Sequence, residues 1–197
     1  MAAERIAEIL RRTNETDIRL HLNLDGAGQH HIASGVPFLD HMLSHVALHG
    51  LFDLELSCQG DTQVDDHHSV EDIGIVFGQA LQQAVGDKAG LARYGSQLLP
   101  MDEALVLVAL DLSGRGLLVY EVNLPAARVG TFDTELVPEF LRALAHNAGL
   151  TLHVRLLAGQ NTHHIIEAIF KGLGRALGQA VARDPRRAAI PSTKGTL

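Results

Sequence analysis

The chain has 197 residues, 46% of them hydrophobic, which suits one compact core or two small fused halves and excludes disordered and collagen-like chains. Sixteen basic against twenty-three acidic residues leave a net charge of −7, which argues against a general nucleic-acid binder. Every long apolar stretch is broken by charge, Gly or His, so no membrane partner is expected, and the single cysteine, Cys58, suits a reducing compartment.

The opening MAAERIAEILRR is charged and carries a helical pattern without a signal-peptide core, which predicts a cytoplasmic location. Strand candidates at 16–24 and 29–34 lead to a short amphipathic helix over Phe38–His49 and a strand-like run, LFDLELSCQG, at 51–60. DDHHSVED follows, and after it Val70, Ile73, Val76, Phe77, Ala80, Leu81 and Ala84 recur at helical spacing as far as Gly86. Gly86–Gly95 reads as a joint. Beyond it, strand candidates at 103–112 and 116–124 flank Ser113-Gly114-Arg115-Gly116, a hairpin signal. An amphipathic helix over Thr134–Asn147 and a strand at 150–159 precede NTHHIIEA. Ile166, Ile169, Phe170, Leu173, Leu177 and Val181 then repeat at helical spacing until Asp184-Pro185 stops the helix. The tail IPSTKGTL is polar and irregular.

The same element order thus occurs twice, each time ending in HHxxE, with the two copies 96 residues apart. The expected architecture is α+β: two pseudo-symmetric β-β-α-β-α halves from internal duplication, 1–92 and 93–197, forming one compact unit with sheets packed and helices on their faces.

Twelve histidines in a chain without tryptophan call for a metal or a proton shuttle. Residues four apart share a helix face, so His67 with Glu71 and His163 with Glu167 each form a gripping pair, while His68 and His164 point about 100° aside. A pseudo-twofold axis then suggests an exchange, each ion taking one pair and the lone histidine of the other motif. His41, 26 residues before His67, and Glu139, 24 before His163, occupy matching places on the short helices. The predicted ligands are His41, His68, His163 and Glu167 for one ion and His67, Glu71, Glu139 and His164 for the other, with His146 a rival for the place of Glu139. Mixed imidazole and carboxylate donors suit Mn²⁺, Fe²⁺ or Zn²⁺. His21, His30, His31, His45 and His153 have no spacing that demands a ligand. Asp65, Asp66 and Asp72 either orient ligand imidazoles or solvate the helix entry.

An RxTxET pattern (Arg11, Thr13, Glu15, Thr16), FLDHML (38–43), DDHHSVEDIG (65–74), Met101-Asp102-Glu103-Ala104, DLSGR (111–115), NTHHIIEAIFK (161–171) and DPRR…IPSTKG (184–195) together resemble the imidazoleglycerol-phosphate dehydratase family over nearly the whole chain. The resemblance implies halves of the ribosomal protein S5 domain 2-like type. It also implies a lyase of histidine biosynthesis converting D-erythro-imidazoleglycerol phosphate to imidazole acetol phosphate through a metal-bound imidazolate or diazafulvene-like intermediate. Two Mn²⁺ ions per active site and a homo-oligomer of about 24 subunits, with sites completed between neighbours, come with it. Many relatives carry His where this chain has Glu139.

By the same resemblance Glu15, Glu71 and Glu167 are catalytic, Glu15 as the proton-transfer residue. Substrate contacts are implied for Glu15, His41, His49, His67, His68, Glu71, Arg93, Arg115, His163, His164, Glu167, Lys171, Ser192, Thr193 and Lys194. Among these, Arg93, Arg115, Lys171, Ser192 and Lys194 match phosphate contacts, for which fixed positive charge is suited. A dimetal hydrolase would need a bridging water, which exchanged ligation without a bridging carboxylate disfavours. A metal store has no use for the cationic set.

Overall fold

The computed structural model describes residues 4–197. The first half runs β1 (Ile6–Arg12), β2 (Thr16–Asn23), β3 (His30–Ala33), α1 (Pro37–Gly50), β4 (Asp53–Gly60) and α2 (His67–Val85). The second runs β5 (Tyr94–Met101), β6 (Ala104–Asp111), β7 (Leu117–Glu121), a two-stranded ribbon of β8 (Arg128–Val129) and β9 (Phe132–Asp133), α3 (Leu136–Ala148), β10 (Thr151–Ala158) and α4 (Thr162–Val181). The strand orders, β1-β2-β4-β3 and β5-β6-β10-β7, are the same arrangement twice. In both sheets the third strand runs parallel to the last.

Each four-stranded sheet carries one strand more than the sequence pattern shows, and the second half adds the β8–β9 ribbon. The predicted N-terminal helix is corrected to a strand: Ile6–Arg12 pairs antiparallel with β2 in unbroken register, and Met1–Ala3, its first residues, lie outside the described residues. Only Ala7 of this strand is fully buried, so the apolar residues Ile6, Ile9 and Leu10 mimic a helical stripe without a buried face behind them. Its counterpart β5 covers residues that the sequence leaves partly to the joint. The Ser113–Gly116 hairpin is also corrected: β10 lies between β6 and β7, and the true hairpin joins β5 to β6 through Asp102 and Glu103.

The helices form the layer between the sheets. The motif helix α2 packs on β1, β2 and β4, and α4 packs on β5 and β6. The short helices cross over: α1 lies along α4, and α3 along α2. Alternation in β2 and β6 turns one face of each sheet onto this layer. On α4, Ile165, Ile166, Ile169, Phe170, Leu173 and Leu177 are all buried, each contributing about 1.5–3 kcal/mol over exposure. Glycines set the helix spacing. A Cβ on Gly174 would stand 2.7 Å from the Val46 carbonyl of α1, and one on Gly78 would stand 2.7 Å from the Leu144 carbonyl of α3. Among the described residues no helix is long and apolar enough to cross a membrane.

Candidate metal centre and anion cleft

The crossing of α1 over α4 builds the first cluster. Asn161 caps α4 by accepting from the backbone N–H groups of His163 (3.0 Å) and His164 (3.3 Å), which starts the helix on the motif itself. One turn on, Glu167 is buried, its side chain only 8% exposed. His163 Nε2 lies 3.1 Å from Glu167 Oε2, and α1 brings His41 Nε2 and His45 Nε2 each to 3.6 Å from the same carboxylate. Ligand atoms of His41, His45 and Glu167 all lie within 4.8 Å of one another. Lys171 Nζ reaches Glu167 Oε1 at 2.5 Å and Met101 Sδ at 3.6 Å.

Electrostatics keep this cluster ready for a cation. Burial alone would raise the pKa of Glu167, but Lys171, His45 and His163 outweigh it and hold the carboxyl at about 2. Burial pushes His45 down to about 4 against the pull of Glu167, so its imidazole is neutral and has a lone pair to give. His49, next along the same face, is lowered by burial and then by Lys171 and Arg175. An ionised carboxylate beside the neutral His45 imidazole, partly out of water, is a donor set for a borderline divalent ion. His45 is the member that spacing alone passed over, although it stands one turn from His41.

The pseudo-symmetric place on α2 and α3 holds a looser set, and among the described residues only the α1/α4 set brings three ligand atoms within 4.8 Å of one another. Asp65 accepts from the His67 backbone N–H at 2.8 Å, and His67 Nε2 stands 3.9 Å from Glu71 Oε2. Glu71, Glu139, Arg142 and His146 line one small cavity of about 220 Å³, so both rivals for the fourth place face it. Arg142 is ion-paired with Glu139.

His68 and His164 stand apart from these clusters within the chain. Nδ1 of His68 is held by Asp61 at 3.0 Å and its Nε2 is 3.7 Å from Glu15. Nδ1 of His164 is held by Glu103 at 2.7 Å and its Nε2 is 3.7 Å from Asp102. Asp61 and Glu103 are thus the carboxylates on the imidazoles. Asp72, a predicted candidate for that task, instead anchors the RxTxET segment, accepting from Arg11 (2.9 Å) and Thr16 (2.5 Å). Thr13 Oγ1 accepts from the Glu15 and Thr16 backbone N–H groups, leaving the Glu15 carboxylate half exposed beside His68.

A cleft of about 1030 Å³ lies between the β6–β7 connection and the C-terminal tail, lined by Arg93, Ser113, Arg115, Ser192, Thr193 and Lys194 among others. Arg93 is committed to scaffolding: it pairs with Asp111 at 2.7 and 3.1 Å and donates to the Pro191 carbonyl at 2.7 Å, pinning the tail. Among the described residues the Arg115 guanidinium has only a 3.5 Å contact with Ser113 O. Lys171, the remaining cation of that set, stands at the Glu167 cluster. Arg186 and Arg187 reach the cleft wall, both paired with Asp184.

A family model described as imidazoleglycerol-phosphate dehydratase matches residues 34–177. The chain is 61% identical over 193 residues to an imidazoleglycerol-phosphate dehydratase of Desulforamulus reducens, covering 98% of both chains. It is 60% identical over 193 residues to one of Moorella thermoacetica, again covering 98% of both. Among solved structures, an imidazoleglycerol-phosphate dehydratase from Staphylococcus aureus superposes with a TM-score of 0.83 at 45% identity, over 91% of this chain and 99% of that one. IGPD from Pyrococcus furiosus superposes with a TM-score of 0.84 at 37% identity, over 96% and 100%.

Proposed function

The chain belongs to the imidazoleglycerol-phosphate dehydratase family, and we propose that it dehydrates imidazoleglycerol phosphate to imidazole acetol phosphate in histidine biosynthesis with two divalent ions, Mn²⁺ the first choice. The observation that carries the metal reading is the convergence of His41, His45, His163 and Glu167 from two helices of opposite halves. His41, His45, His163 and Glu167 would hold one ion and His67, Glu71 and Glu139 the other. Bound there, the ions would supply Lewis acidity and a template for the substrate imidazole.

The chain's own groups supply the rest. Dehydration releases the hydroxyl of the carbon beside the ring as water and takes a proton from the next carbon, leaving an enol that ketonises to the product, so one group must take a proton and one must give it. We assign that transfer to Glu15, a reading supported by its half exposure, its 3.7 Å separation from His68 Nε2 and the anchoring of its segment by Asp72. Lys171 holds Glu167 ionised, preserving its negative charge for an ion. Arg115, Ser192, Thr193 and Lys194 offer the phosphate a polar cleft, and Arg93 fixes the tail that carries three of them. His68 and His164 have their partners outside both clusters, which supports a homo-oligomer in which a neighbouring chain brings these imidazoles to the ions.

The test is turnover of imidazoleglycerol phosphate by metal-stripped protein before and after Mn²⁺ is restored. Activity should vanish and return with about two ions per chain. Full activity without metal, or none with it, overturns the reading.

A further inference from the structure

We propose that Asp61 and Glu103 are positioning residues, each fixing the tautomer and direction of the histidine that its own cluster leaves over, so that Nε2 of His68 and of His164 is presented outward to an ion. The inference rests on the metal reading above and adds residues that this reading leaves without a task.

Both contacts are at Nδ1. His68 Nδ1 meets both oxygens of Asp61 at 3.0 and 3.1 Å, and His164 Nδ1 meets Glu103 Oε2 at 2.7 Å. An ionised carboxylate only accepts, so Nδ1 must donate, and in the neutral ring the lone pair then resides on Nε2. Both residues are themselves held. Glu103 Oε1 accepts from the backbone N–H groups of Asn161 (2.8 Å) and Gln160 (3.2 Å). Asp61 is locked into its loop by its N–H donating to the Glu15 carbonyl (3.1 Å) and its carbonyl accepting from Val64 (2.8 Å). A carboxylate that orients an imidazole for a metal is typically worth 10- to 100-fold in affinity.

The two halves reach this arrangement from non-equivalent positions. Glu15 and Glu103 both sit in the connection between the first two strands of their half. In the second half that residue itself takes Nδ1, and Asp102 stands 3.7 Å from Nε2. In the first half Asp61, just beyond β4, takes Nδ1, which leaves Glu15 on the Nε2 side at 3.7 Å. A relic of duplication would use equivalent residues. The same imidazole geometry built from different ones answers a requirement on the imidazole, and it frees Glu15 for proton transfer.

The test compares Asp61→Asn and Glu103→Gln with the unaltered full-length chain. Mn²⁺ is titrated into each metal-stripped protein, unbound Mn²⁺ is counted by electron paramagnetic resonance, and the urea midpoint of each metal-free form is measured alongside. Each variant should lose 10- to 100-fold affinity at one of two ions, keep the other, and keep its metal-free midpoint. Unchanged affinity for both ions in both variants overturns the proposal alone. Equal weakening of both ions together with a fallen midpoint assigns the carboxylates to folding and also overturns it. An unaltered chain that binds no Mn²⁺ overturns this proposal and the metal reading together.

Discussion

Gly174→Ala tests whether close helix contact sets the site. The added Cβ would lie 2.7 Å from Val46 O, 3.0 Å from Val46 Cα and 3.2 Å from Gly50 N, all backbone atoms that no rotamer change moves. Ordinary carbon contacts need about 3.5–4.0 Å, so α1 must retreat from α4 by roughly 1 Å. Overpacking of this kind costs about 1–3 kcal/mol, which the better helix propensity of Ala offsets by about 1 kcal/mol. A net loss of up to about 2 kcal/mol is expected in urea denaturation of the metal-free chain. The same displacement carries His45, the residue before Val46, and His41 away from Glu167, where their present contacts are 3.6 Å. Metal–ligand distances tolerate only about 0.2 Å, so Mn²⁺ affinity at the α1/α4 cluster should fall at least about tenfold. The α2/α3 ion should be spared. Gly78→Ala, whose Cβ would meet Leu144 O and Asn147 Cβ at 2.7 Å, should produce the reverse selectivity. A Gly174→Ala chain with an unchanged urea midpoint and two tightly bound ions would refute the reasoning.

Asp72→Ala strips the acceptor from buried Thr16 and from Arg11, and should lower stability by about 3 kcal/mol, with Asp72→Asn losing less, as read from urea midpoints. Lys88 is buried, which lowers its pKa against the pull of Asp111; the unfolded chain therefore binds the proton more tightly, and stability rises with pH through the interval just below the ordinary lysine value of about 10.4. Lys88→Met should accordingly raise the urea midpoint at pH 7 and flatten that rise, and a lower midpoint at pH 7 would contradict it. Arg93→Ala should release the tail, speeding tryptic cleavage at Arg186, Arg187 and Lys194 as well as raising KM, whereas Arg115→Ala should raise KM with the cleavage rate unchanged.

The helices were legible because a buried stripe at 3.6-residue spacing is local information, and Ile166 to Val181 displays it in full. The duplication was legible because HHxxE marks the same point in both halves. The first strand of each half was not, because residues 6–12 bury little more than Ala7 and their apolar spacing fits either period. His45 was passed over because its value depends on how α1 is rotated against α4, which no spacing within α1 contains. Asp61 and Glu103 escaped for the same reason: one is 7 residues from its imidazole across a loop and the other 61 residues away. That Arg93 also pins the tail was not legible, because a sequence shows a cation but not the Asp111 and the Pro191 carbonyl beside it.

Helix crossing explains why duplication did not leave two independent sites. Had α1 packed on α2 within its own half, each half would hold a short-helix ligand and a motif pair, and half a chain could carry a cluster. Instead α1 brings His41 and His45 to Glu167 of the other half, and α3 brings Glu139 and His146 to the cavity of Glu71. Each cluster therefore exists only when both halves are folded against each other, and the Gly50–Gly174 and Gly78–Leu144 approaches are what bring them that close. The free energy of an ion bound at either cluster is then added to the docking of the halves as well as to the site, so metal binding and the integrity of the helix layer are two readings of one equilibrium.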